Sequence, residues 1–171
     1  MDPLTVSTVI SAPREAVFDY LEDLAGHPEF TDHFLQEWHL TRVDSVGRGA
    51  GARFRVAAPL NRFGWAEVTF AEVERPSRIV EVGRTGKNNR IRTVGVWQLD
   101  PGPAGATRVS FTLQTWPAKL SDRLMESLGA RGWLRRKHQR ALRRLRAILE
   151  QDPGTSARAA RRGERVTVAG G

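Results

Sequence analysis

Residues 120–150 constrain this chain most, because no other run is long enough to cross a small domain as a single helix. On a helical wheel centred on Leu145, at ~100° per residue, Leu134, His138, Ala141, Leu142, Ile148 and Leu149 fall within roughly 60° of one line. Arg136, Lys137, Arg140, Arg143, Arg144 and Arg146 lie about 80° or more from that line on the same wheel. One side of the helix is therefore apolar and must be covered, while the other is cationic. Gly129 and Gly132 fall near its first third and predict a kink there.

The preceding chain supplies the cover. Residues 3–11 alternate Leu4, Val6, Thr8 and Ile10 against Thr5, Ser7 and Ser11, the period of a half-buried strand. A helix follows: Ser11 can cap it, Pro13 suits its first turn, Glu15 sits at its positive end, and Val17, Phe18, Leu21 and Leu24 recur at helical spacing. Gly26 and Pro28 stop it, and HPEFTDHFL predicts a second short helix with Phe30 and Phe34 on one side. From Gln36, where the first strand should run over 36–46, six strand-like segments are separated by turn clusters too short for helical crossovers. Neighbours in sequence should then pair antiparallel. The fold class is α+β: a seven-stranded curved antiparallel sheet wrapped around a long C-terminal helix, with two short helices after strand 1. Such an arrangement is a container for a small molecule.

A chain of 171 residues fits one domain, since single domains commonly run to ~200 residues. Residues 1–150 are expected to form it, and 151–171, without leucine, isoleucine or aromatics, to be a disordered basic tail. The net charge of +8 is unevenly placed: 1–130 carry 15 Lys and Arg against 16 Asp and Glu, whereas 131–171 carry 12 against 3. Any anionic partner would thus meet the last helix or the tail, but aromatics are not interleaved with these charges, which argues against nucleic acid, and a solvated helix face accounts for them equally. No run approaches the ~18 apolar residues of a membrane span, and the start MDPLTVSTVI lacks the basic flank and apolar run of a secretory signal, so a soluble cytoplasmic protein is expected. The absence of cysteine excludes disulfides and thiolate metal sites.

Three stretches carry a resemblance. Residues 10–21, ISAPREAVFDYL, resemble the opening I-x-A-P-x-E-x-V-F-x-x-L of the START and birch-pollen-allergen-like (SRPBCC) superfamily, in its polyketide cyclase/dehydrase-like branch. Residues 73–80, VERPSRIV, resemble its V-E-x-P-x-R-x-V hairpin, and WQLDP at 97–101 leading to ATRV at 106–109 resembles its W-x-L-x-P … G-T-R-V. The resemblance implies a helix-grip fold over roughly 3–150 and an internal cavity for a polyketide-, lipid- or quinone-like molecule. It does not choose among carriers, aromatase/cyclases and ribosome-associated relatives.

Candidate ligand-binding residues are the aromatics Phe34, Trp38, Phe54, Trp65, Phe70, Trp97, Phe111 and Trp133, with His138 and Arg131 on the long helix. Their ordinary alternative is core packing. Parity puts Thr93, Gly95, Trp97 and Leu99 on one face of their strand, and the resemblance implies that the Trp97 face looks inward. Glu67 shares the face of Trp65, and Glu81 that of Ile79; either carboxylate could enter the pocket, gain an elevated pKa and donate a proton. His138, near the centre of the apolar stripe, is either a core residue bonded to backbone or a proton carrier of near-neutral pKa. Arg131 could anchor a carboxylate or stabilise an oxyanion. His27, His33 and His39 recur every six residues, which aligns no imidazoles on a helix, so no metal is expected, and no cofactor motif is present. GRGAG at 47–51 leads into a strand and reads as a turn rather than a phosphate loop. The function expected is binding of a hydrophobic small molecule, with a polyketide cyclase, aromatase or dehydrase-type enzyme and an interaction module built on the basic helix as alternatives.

Overall fold

The computed structural model describes residues 2–58, 64–116 and 129–151. Strand β1 (Leu4–Ile10) leads into helices α1 (Arg14–Glu22) and α2 (Pro28–Thr31). Six strands follow: β2 (Leu35–Leu40), β3 (Gly51–Val56), β4 (Trp65–Glu74), β5 (Arg78–Thr85), β6 (Ile91–Pro101) and β7 (Thr107–Trp116), then helix α3 (Arg131–Gln151). They form one antiparallel sheet in the order β1-β7-β6-β5-β4-β3-β2. Every hairpin joins sequence neighbours, and β1 closes on β7 with Leu4 opposite Leu113 and Ile10 opposite Thr107. The curved sheet, short helices and terminal helix are the helix-grip arrangement.

Alternation decides which face is covered. Leu4, Val6 and Ile10 of β1, Ala66, Val68 and Phe70 of β4, and Trp97 and Leu99 of β6 are buried on the concave side. Helix α3 buries Leu134, Ala141, Leu142, Leu145 and Leu149 against it, the stripe read from the wheel. Leu142, Leu145 and Leu149 are no more than 3% exposed, so each contributes ~1.5–3 kcal/mol of burial. The helix runs in the same direction as β1 and is pinned at both ends: Arg131 donates to the Pro3 carbonyl at 3.3 Å, and Glu150 accepts the Ser11 N–H at 2.8 Å.

Several boundaries differ from the sequence reading. The second strand stops at Leu40 rather than continuing to residue 46, and a bulge between Gln36 and His39, with Glu37 at φ 52°, breaks its alternation. Ser11 does not cap α1: Pro13 occupies the N-cap position, with no side-chain cap hydrogen bond. Residues 47–50 form the connection before β3, which Gly51 opens, with Gly47 and Gly49 at φ 79° and 91°, values that only glycine adopts freely. Gly129 has a backbone φ of 86°, and α3 begins two residues later at Arg131. The first part of that expected helix, 120–128, and the expected tail from 152 lie outside the described residues. Among those described, no helix is long and apolar enough to cross a membrane.

Candidate functional site

Between the concave face, α2 and α3 lies a gap of about 50 Å³. One water needs ~10–15 Å³ by the same measure, so the gap holds a few waters or a small fragment. Open ligand sites commonly reach ~300–1,000 Å³; here aromatic side chains occupy most of the interior.

Each wall has a local cause. The bulge at Glu37 inserts one residue into β2, which turns Trp38 onto the concave side, where its ring stacks on Phe54 with centroids 4.7 Å apart and planes 9° from parallel. On β6, Trp97 packs against Phe111 of β7, its register partner, at 4.4 Å. Gly95, two residues earlier on the same face, lies opposite Glu81 of β5. A Cβ on Gly95 would come within 2.3 Å of Glu81 Oε1, so the absent side chain makes the space in which the carboxyl lies. Burial pushes the pKa of Glu81 up to about 7, moderated by the nearby Trp97 indole. Even so, that indole nitrogen has no partner in hydrogen-bond geometry, and neither has Trp38 Nε1.

Two histidines complete the gap. His27 is 4% exposed, at the entry to α2, and donates from Nε2 to the Leu21 carbonyl at 2.8 Å. That bond fixes the proton on Nε2 and leaves Nδ1 as an acceptor. Its own carbonyl accepts from Thr31 Oγ1 at 2.7 Å. His138 of α3 lies between Phe34, at 5.1 Å, and Phe111, at 4.9 Å. Burial pushes both imidazoles down to about 4. They are therefore neutral at pH 7, and the near-neutral pKa expected for His138 is corrected by desolvation. The gap thus combines flat apolar walls, a carboxyl near its midpoint of titration and uncharged imidazoles, a set able to hold a greasy molecule and exchange a proton with it.

Residues 1–150 match the family described as "Polyketide cyclase / dehydrase and lipid transport". The chain belongs to this family. Solved structures with the fold include KanY (TM-score 0.70, 19% identity, covering 86% of this chain and 97% of that one). TTHA0849 from Thermus thermophilus is similar at TM-score 0.65 and 16% identity, over 86% and 96% of the two chains. Ms6760 from Mycobacterium smegmatis is similar at TM-score 0.61 and 14% identity, over 86% and 90%. No curated protein sequence matches the chain.

Within this member of the polyketide cyclase/dehydrase and lipid transport family, Trp38, Phe54, Glu81, Trp97, Phe111 and His138 come together around the gap. Phe34 and Phe70, each 1% exposed, sit in the surrounding core instead. Trp65 and Glu67 lie on the outer face of the sheet, a correction to their expected place: Arg53 covers the Trp65 ring at 4.7 Å and its Nε stands 3.9 Å from Glu67. Arg131 is also outside the gap, half exposed and paired with Asp2 at 3.6 Å. Trp133 is partly buried, edge-on to Phe34 at 6.2 Å and capped by the Lys137 ammonium, and does not line the gap.

The sequence reading missed His27 as a wall residue. Its signal was the position just before Pro28, where a helix start directed at the core takes the side chain inward. The three histidines diverge: His33 Nε2 donates to the Lys137 carbonyl at 3.1 Å, and His39 lies outside near Trp65. Among the described residues no group of three or more His, Asp or Glu could hold a metal ion. On the outer side of α3, Arg135, Arg136, Arg140 and Arg143 are exposed, while Arg144 turns back to Asp32 and to the Glu29 carbonyl and joins α3 to α2.

Proposed function

We propose that the domain binds a compact hydrophobic molecule, polyketide-, lipid- or quinone-like, in the gap between the sheet, α2 and α3. The observation that carries this reading is the aromatic lining: the Trp38 and Phe54 stack and the Trp97 and Phe111 pair present flat apolar faces to one enclosed space. Membership of a family of cyclases, dehydrases and lipid transporters supports it at the level of ligand class. The small volume adds that an occupant is compact or displaces wall side chains on entry. Menadione, a flat quinone, tests it. Saturable quenching of tryptophan fluorescence is expected, and Ala141→Phe, which puts a ring into the gap, should abolish it while the far-UV circular dichroism stays native. Quenching that rises linearly with concentration and is unchanged in A141F would be collisional at the outer tryptophans and would sink the proposal.

Glu81 favours a second reading, a cyclase- or dehydrase-type enzyme. A buried carboxyl with a pKa of about 7 both gives and takes a proton near neutrality. In that case E81Q would retain menadione binding and lose turnover of a carbonyl substrate. Arg131, outside the gap, has no part in it.

A further inference from the structure

We propose that the gap recognises a hydrogen-bond acceptor, the carbonyl oxygen of an otherwise apolar molecule, through the indole N–H groups of Trp38 and Trp97. This rests on ligand binding in the gap and adds which atoms are recognised. Both Nε1 atoms are buried and make no hydrogen bond, and Trp97 as a residue is only 5% exposed. An indole N–H can only donate, and leaving it buried without an acceptor forfeits its hydration in full. One such group is unusual; two on the walls of one gap mark a place where an acceptor belongs.

The surroundings explain why the chain does not satisfy them itself. The sheet carbonyls beside Trp97 belong to a strand paired on both sides, β6 between β5 and β7, whereas Trp38 sits in the bulge of the edge strand β2 and its Nε1 still meets no acceptor. Glu81 is the nearby acceptor group, but its carboxyl occupies the space over Gly95 and is out of line with Trp97 Nε1. With a pKa of about 7 it carries its proton about half the time at pH 7 and then adds an O–H donor to that side of the gap. The polar side of the gap is thus rich in donors, and His27 Nδ1 is the acceptor left by the bond from Nε2 to Leu21. A ketone, aldehyde or quinone oxygen meets the two indoles, and a hydroxyl on the same molecule can reach His27.

Acetophenone and α-methylstyrene, which share a shape and differ in C=O against C=CH2, separate this proposal from plain hydrophobic binding. Acetophenone is expected to bind about tenfold more tightly, the difference that one or two net hydrogen bonds make. It should also shift the Nε1–H resonances of Trp38 and Trp97, assigned with Trp38→Phe and Trp97→Phe, while those of Trp65 and Trp116 stay still. Equal affinities with unmoved indole signals overturn the proposal and leave hydrophobic binding standing. A preference for acetophenone that persists in both variants also overturns it. Binding of neither compound overturns both readings.

Discussion

Replacing Glu81 by Gln removes one titrating group from the gap while keeping its shape, so E81Q compared with the parent isolates a single proton. Burial moves the carboxyl of the folded protein from an ordinary 4.5 to about 7. As pH rises, the unfolded chain releases that proton first, near 4.5, and the folded protein releases it last, near 7. Between those values unfolding liberates a proton, so stability falls with rising pH and the loss is complete above 7. At ~1.36 kcal/mol per pH unit the interval is worth about 3 kcal/mol. E81Q should therefore be within about 1 kcal/mol of the parent at pH 4.5 and about 3 kcal/mol more stable than it at pH 8. His27 and His138 titrate in both proteins and cancel in the difference. Urea unfolding followed by circular dichroism across this range measures it. A difference that does not change with pH would mean that the carboxyl ionises as it does in water, and the reasoning about the gap would fail with it.

Other perturbations reach other parts of the structure. The imidazole of His138, held down to about 4, stays neutral in the fold while the unfolded chain takes up a proton below 6.5, so stability drains as pH falls from 6.5 to 4. His138→Leu should remove up to about 3 kcal/mol of that acid sensitivity and move the acid-unfolding midpoint to lower pH by circular dichroism. Arg144→Met, which breaks the link to Asp32 and the Glu29 carbonyl, should cost about 1 kcal/mol in urea and less in high salt, because the pair is partly exposed. Gly95→Ala should expel the Glu81 carboxyl, seen as a carbon NMR titration returning toward 4.5. Gly83→Ala, whose Cβ would meet the Glu67 backbone carbonyl at 2.3 Å, has no flexible group to displace and should lower Tm further.

The fold was legible because its signals are local. Period-two segments such as 4–10, turn clusters too short for crossovers and the Leu134 to Leu149 stripe fix strands, pairing and the covered helix face without any distant information. The gap was legible only where parity held. On β6 and β5 it grouped Trp97 with Leu99 and Glu81 with Ile79, and the family resemblance chose the inward face of β6, but parity cannot foresee the bulge at Glu37 that redirects Trp38. On β4 a tryptophan invited an inward reading, yet Trp65 is satisfied outside under the Arg53 guanidinium. Arg131 was placed by running the wheel straight through Gly132, yet it is the first residue of α3, where its guanidinium is drawn outside to Asp2 and the Pro3 carbonyl. The neutral state of His138 depends on the rings of Phe34 and Phe111, residues distant in sequence that no local pattern joins to it.

Native mass spectrometry of the chain purified from its own host, followed by denaturation and identification of whatever is released, tests ligand binding most directly. The account predicts a stoichiometric apolar compound bearing a carbonyl group, lost in A141F. A parent protein that flies at its bare chain mass and leaves the Trp38 and Trp97 resonances unmoved by acetophenone or menadione would contradict it.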